Sequence, residues 1–308
     1  MTKSVSLLKP ASPSPVVTVS APAKVNLILR ILDRRSDGYH NLWSIMQTVG
    51  LEDEVRLRQS VDSNDVRLRC DSAQLAVDRS NLVHRAAVAV LERAQKKIGL
   101  DIELRKNIPM GAGLGGGSSD AAATILGLNR LLQLEWSPAQ MAEVAQPLGS
   151  DVPFFLFSPS AVVAGRGELV RPITVGGARW VVLINPGFGV ETRWAYQELA
   201  AKRSGVRQLS QGQLELDRQD QMNWAQLAAA AENDFEAPVF AKHGALREIK
   251  QALLSLGAEI ALLSGSGATV FGLFRDELAA QRAKAHFADD KLLKIFVVPT
   301  CSNPLTVQ

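Results

Sequence analysis

Five of the chain's 23 glycines fall within seven positions, in the run Pro109-Met110-Gly111-Ala112-Gly113-Leu114-Gly115-Gly116-Gly117-Ser118-Ser119. Each glycine in a loop costs backbone entropy, so such crowding needs a reason. Glycines accept positive φ and let successive backbone N–H groups converge on one concavity, which suits an anion. An alanine-rich helix predicted from Ser119 onward would add free N–H groups and the positive end of its dipole. Ser118 and Ser119 are placed to cap that helix, or to offer hydroxyls to a phosphate or a metal. A flexible linker is disfavoured, because a strand-like stretch leads directly in and a helical one directly out. Phosphate binding is the chemistry this loop suits.

Two common phosphate-binding patterns do not fit. A P-loop requires Lys-Ser or Lys-Thr after its last glycine, whereas Gly117 precedes Ser118-Ser119. Gly111, Gly113 and Gly116 have dinucleotide-fold spacing, with Glu135 following. The strand before such a turn is normally apolar on both faces, yet residues 101–108 alternate apolar and charged. Glu135 also follows a helix rather than closing a second strand.

Phosphoryl transfer further needs a positioned nucleophile and charge compensation. Lys24 and Asn26 are two residues apart in a strand-like stretch of small and apolar residues, so they share a face. Taken alone, Lys24 reads equally as a solvent-facing strand residue. Asp151, in Gly149-Ser150-Asp151-Val152-Pro153-Phe154-Phe155, reads alone as a turn or capping aspartate. Beside a lysine it would stay ionised and could orient or deprotonate a hydroxyl. A second small-residue loop, Ser264-Gly265-Ser266-Gly267-Ala268-Thr269, is either a tight hairpin or a wall of the phosphate site.

The elements that must hold these groups are legible in outline. Apolar residues of one parity run over 17–31, predicting a half-buried strand, followed by a polar turn at 33–41. Spacing predicts a helix over 81–98, capped by Ser80 and ended by Gly99, and another started by Ser137-Pro138. The rhythm changes near residue 175, after which the pattern is strand at 179–185, helix at 191–201, a polar connection at 202–221 and helices at 224–231 and 242–256. Strands flanking 264–267, a helix at 276–287 and a strand at 293–298 complete it, suggesting a ferredoxin-like α+β second unit.

Composition sets outer limits. The 308 residues suggest two domains, and 34 Lys+Arg against 31 Asp+Glu leave a mild net charge of +3, with no basic block that would indicate nucleic acid. Two cysteines exclude a disulfide framework and a structural zinc site, and a reducing cytoplasm is expected. No stretch reads as membrane-spanning. Residues 1–15, rich in Ser and Pro, are expected to be a disordered tail.

Three segments, Ala21-Pro22-Ala23-Lys24-Val25-Asn26-Leu27, 109–119 and 264–269, match in order and spacing the three motifs of the GHMP kinase superfamily, which the chain resembles over nearly its whole length. Arg35-Ser36-Asp37-Gly38-Tyr39-His40 and the segment around Asp151 sharpen the resemblance to the branch that phosphorylates a cytidine diphosphate-linked methylerythritol. The resemblance implies an α+β, two-lobed GHMP kinase fold. An N-terminal ribosomal protein S5 domain 2-like lobe (16–175) would bind ATP, and a C-terminal ferredoxin-like lobe (176–308) would close the cleft. The reaction implied moves the ATP γ-phosphoryl to the acceptor's 2-hydroxyl, in non-mevalonate isoprenoid precursor synthesis. Asp151 would be the base or orienting carboxylate and Lys24 its cationic partner, with Asn26 beside the substrate. The loop from Pro109 to Ser119 would wrap the ATP phosphates. Tyr39 and His40 would bind cytosine, joined by a second-lobe aromatic for which Phe188 is the candidate. Mg²⁺ is expected with ATP, with no carboxylate ligand identifiable and Ser118 or Ser119 as contributors. His84, His243 and His286 receive no role. The alternatives are a family member acting on a homoserine- or mevalonate-type alcohol, and a non-catalytic ATP-binding relative.

Overall fold

Alternation from Val17 onward produces one long strand, β1 (Val16–Arg34), which runs antiparallel to a similarly long β2 (His40–Gln59). The computed structural model describes residues 15–202, 205–301 and 305–307, so all of the expected tail but Pro15 lies outside the described residues. After β2 come β3 (Val66–Cys70), α1 (Leu82–Arg93), β4 (Leu100–Arg105), α2 (Gly116–Leu131), α3 (Pro138–Ala145), α4 (Phe154–Phe157), β5 (Ser160–Gly165), β6 (Leu169–Pro172) and β7 (Thr174–Val175). Then follow β8 (Trp180–Asn185), α5 (Thr192–Ala201), α6 (Gln211–Asp217), β9 (Gln221–Met222), α7 (Trp224–Ala230), β10 (Glu232–Asn233), α8 (Glu236–Lys242) and α9 (Gly244–Ser255). The chain closes with β11 (Ile260–Leu263), β12 (Val270–Phe274), α10 (Glu277–His286), β13 (Lys294–Pro299) and β14 (Thr306–Val307).

The β1–β2 register shifts between Pro22 and Ala23, between Asn26 and Ile28, and between Ile31 and Asp33. Such bulges bend a ribbon and re-aim its side chains. Their effect on β1 is direct. Val17, Val19, Ala21, Leu29 and Ile31 join a core with α1 and α2, whereas Ala23, Val25 and Leu27, of the same parity, join a second core. There they meet Val181, Leu183, Phe271 and Leu273 of the other sheet. Each fully buried Leu, Val or Phe contributes about 1.5–3 kcal/mol, so this seam holds the two sheets together.

The first sheet has the order β10-β1-β2-β4-β3, with β14 on β1 and β5 joining β2 to β6. The second, β11-β12-β8-β13, is antiparallel throughout, and α9 and α10 pack on it in the ferredoxin-like arrangement. Among the described residues no helix is long and apolar enough to cross a membrane.

Several local expectations are corrected. Asn81, not Ser80, caps α1, because its side chain accepts from the Val83 N–H. That helix stops at Arg93, since Gln95 takes φ 52°. The connection at 202–221 contains α6, started by a Ser210–Gln213 capping box. The helix expected over 242–256 forms as α9, and a separate α8, not expected, precedes it and ends at Lys242.

Candidate active site

The bulged middle of β1 turns Lys24 and Asn26 inward, where both are buried, Lys24 to 3% exposure. A lysine so buried must spend its donors on acceptors. Its Nζ donates to Asn26 Oδ1 at 2.7 Å and to the Gly113 carbonyl at 3.0 Å, and lies 3.7 Å from Asp151 Oδ2. Burial pulls the Lys24 ammonium below the ordinary lysine range, and the Asp151 charge opposes that fall. Asp151, at the turn before α4, keeps 29% of its side chain exposed, so it remains open to a ligand. Asn26 Nδ2 donates to Ser44 Oγ at 2.9 Å, which donates to the Ile28 carbonyl.

The glycine loop wraps over this pair. The Lys24 N–H donates to the Leu114 carbonyl at 2.9 Å, fixing the loop to β1. Gly113 (φ +76°) faces the Ser264 carbonyl so closely that no Cβ would fit, and at Gly115 (φ +72°) a Cβ would fall 2.9 Å from the Lys24 stem. Gly115 caps α2, so Ser118 and Ser119 lie within its first turn instead of capping it. Ser119 Oγ is buried there without a partner. At the loop's base Lys106 pairs with Asp53 and, at 2.7 Å, with Asp120. Asp53 Oδ1 also accepts the Asn107 and Ile108 N–H groups. Burial, with Asp53 nearby, raises the Asp120 carboxyl to about 8, with Lys106 opposing.

The loop at 264–269 is both hairpin and wall. It joins β11 to β12, Ser264 Oγ donates to the Gly113 carbonyl at 2.9 Å, and the Gly265 N–H donates to Asn26 Oδ1 at 3.1 Å.

These three segments border a cavity of about 940 Å³, ample for a ligand of nucleotide size. Its lining also includes Tyr39, His40, Arg166 and Tyr196. His40 stacks on Tyr196 with ring centroids 4.8 Å apart, and burial, with Arg34 nearby, lowers its pKa, favouring the neutral ring. Tyr39 is 56% exposed, with the Arg166 guanidinium 4.8 Å above its ring.

Lys24, Asn26, Tyr39, His40, Gly113, Gly115 and Asp151 thus share one cavity. Phe188 does not line it. After Gly187 (φ +82°) the chain turns away, and the Phe188 ring packs on His243 at 4.9 Å, beside the outer edge of the glycine loop. Tyr196 supplies the second-unit aromatic, carried with Thr192 on one stripe of α5. A signal for it existed: the chain has two tyrosines, and both line this cavity. Arg166, alone on the β5–β6 turn, carried no such mark.

Among the described residues no group of three His, Cys, Asp or Glu could hold a metal ion. The unpartnered Ser119 hydroxyl at the start of α2 leaves one oxygen ligand available for a divalent cation carried by phosphates.

Residues 81–159 match the family described as GHMP kinases N terminal domain, and residues 214–290 match GHMP kinases C terminal. A 4-diphosphocytidyl-2-C-methyl-D-erythritol kinase of Syntrophotalea carbinolica is 40% identical over 280 residues, covering 90% of this chain and 96% of the relative. A crystal structure of 4-(cytidine 5'-diphospho)-2C-methyl-D-erythritol kinase superposes with a TM-score of 0.74 at 32% identity, covering 92% of this chain and 98% of that one. The homoserine kinase of Cytophaga hutchinsonii shares the fold, with a TM-score of 0.72 at 22% identity over 98% of this chain and all of the other.

Proposed function

This chain belongs to the GHMP kinase family, among its 4-diphosphocytidyl-2-C-methyl-D-erythritol kinases, and we propose that its cleft carries out their reaction with Lys24 and Asp151 at the centre. The γ-phosphoryl of ATP passes to the tertiary 2-hydroxyl of a cytidine diphosphate-linked methylerythritol, giving the 2-phosphate used in non-mevalonate isoprenoid precursor synthesis. In this reading residues 16–175 form the ATP-binding lobe and 176–308 the ferredoxin-like lobe, with β10 and β14 of the latter span joined to the first sheet.

The burial of Lys24 against Asp151, directly under the glycine loop, carries the assignment. Asp151 orients the acceptor hydroxyl and takes its proton as the oxygen attacks phosphorus. The new P–O bond forms as the bond to the ADP oxygen breaks. Lys24 pairs with the Asp151 carboxylate and offsets negative charge on the transferring group, and burial strengthens that interaction. Residues 109–119 supply backbone N–H groups to the ATP phosphates. Tyr39 and Tyr196 offer rings to cytosine, and neutral His40 offers both a donor and an acceptor to its edge. Asn26 lies beside the reacting hydroxyl. Mg²⁺, held through phosphate oxygens with Ser118 or Ser119 contributing, would supply charge neutralisation. Free Cys70 and Cys301 suit the reducing cytoplasm in which we place the enzyme.

ATP consumption with three acceptors tests the reading. Turnover with the cytidine substrate and none with mevalonate or homoserine is expected; the reverse preference would contradict it.

A further inference from the structure

The segment Glu232-Asn233-Asp234-Phe235-Glu236 lies outside the three segments that hold the catalytic pair, although Phe235 lines the cavity, and every other side chain in it bonds to a neighbouring element. β10 pairs parallel with β1, placing Leu29 opposite Asn233. Arg30 of β1 reaches across to Glu232 and, at 3.7 Å, to Asp234, whose Oδ2 accepts the Ile31 N–H. Glu236 accepts the Leu263 N–H at 3.0 Å and is held by Lys250.

Asn233 stands between these anchors, 3% exposed, with each bonding function used once. Its Nδ2 donates to the Leu263 carbonyl at 2.7 Å and to the Gly265 carbonyl at 2.8 Å, and its Oδ1 accepts the Phe235 N–H at 2.9 Å. An amide alone can meet this demand. Aspartate would set a carboxylate against two carbonyls, and an apolar residue would leave two buried acceptors unpaired.

Gly265, which Asn233 holds by its carbonyl, donates its own N–H to Asn26 Oδ1, the oxygen that also receives the Lys24 ammonium. The bonds therefore run in an unbroken path from Asn233 through Gly265 and Asn26 to Lys24. We infer that Asn233 is a positioning residue for phosphoryl transfer, fixing the 264–266 loop so that Asn26 and Lys24 keep their reactive geometry. This rests on the catalytic role proposed for Lys24. Because Asn233 does not line the cavity, its loss should reach the chemistry and spare substrate binding.

A double-mutant cycle tests this with kcat and both KM values for the parent, Asn233→Ala, Asn26→Ala and the pair. Expected for Asn233→Ala is a fall in kcat of about tenfold or more with both KM values within about threefold. The pair should be no slower than Asn26→Ala alone, because the two residues act through one path. A kcat for Asn233→Ala within about threefold of the parent, or losses that multiply in the pair, would overturn the inference. Should Asn233→Ala fold poorly, Asn233→Ser, which keeps one donor, carries the same cycle. A parent that is inactive on the cytidine substrate would instead refute the underlying function.

Discussion

The Lys24 ammonium lies 3.7 Å from the Asp151 carboxylate, and only one of the two is sealed from solvent. The buried lysine is fixed by the Asn26 side chain and the Gly113 carbonyl, while the carboxylate stays accessible. Such a pair can hold its charge in place and still receive a substrate hydroxyl.

Removing the cation should therefore cost rate more than binding. Lys24→Met is expected to lower kcat by roughly 10²–10⁴ while the cytidine substrate still binds. Lys24→Arg should not restore activity, because a planar guanidinium cannot reproduce the compact ammonium held in this buried site by Asn26 Oδ1 and the Gly113 carbonyl. In the parent, burial lowers the Lys24 pKa, so its proton is lost at lower pH than from a free lysine. The decline of kcat on the alkaline side should begin below about pH 10.4, the free-lysine value. A kcat for Lys24→Met within tenfold of the parent would remove the residue from the mechanism.

Gly113→Ala meets two obstacles at once, a positive φ and the Ser264 carbonyl. A destabilisation of about 2 kcal/mol or more is expected, read as a lowered Tm, together with weakened ATP binding. An unchanged Tm would mean that the two loops do not interlock as described.

How much of this was legible in the sequence differs from residue to residue. The glycine loop declared itself, because five glycines between a strand and a helix have few uses. The meeting of Lys24 with Asp151 depends on a sheet pairing that neither local sequence encodes; family resemblance supplied it. The uniform parity of residues 17–31 suggested one buried face, but the bulge after Pro22 sends Ala23, Val25 and Leu27 into the seam between sheets. Phe188 and Tyr196 both follow β8, and the turn at Gly187 together with the helical phase of α5 decides which enters the cavity. Asn233 gave no signal, since its partners are all backbone groups.

Asp120 makes stability depend on pH. Its carboxyl is raised from the ordinary range to about 8, so the folded state holds a proton that the unfolded chain releases near pH 4. The stability this contributes is present at low pH and is lost as pH rises through about 8. Asp120→Asn, which keeps the shape without the charge, should flatten the fall of Tm between about pH 5 and 8. A parent Tm that rises over the same range in step with the variant would contradict this.

Tyr196→Ala should raise KM for the cytidine substrate by about tenfold or more and leave KM for ATP within about threefold, because its ring stacks on His40. Equal losses for both substrates would argue against the base site. Phe188→Ala should leave the cytidine KM near the parent value, since that ring lies against His243.

The most direct test of the catalytic assignment is Asp151→Asn, assayed for turnover and, separately, for ATP binding. The amide keeps the shape of the carboxylate but cannot take a proton. The account predicts a kcat lowered by about 10³-fold or more, with ATP affinity within about threefold of the parent. A variant that turns over within tenfold of the parent would contradict it.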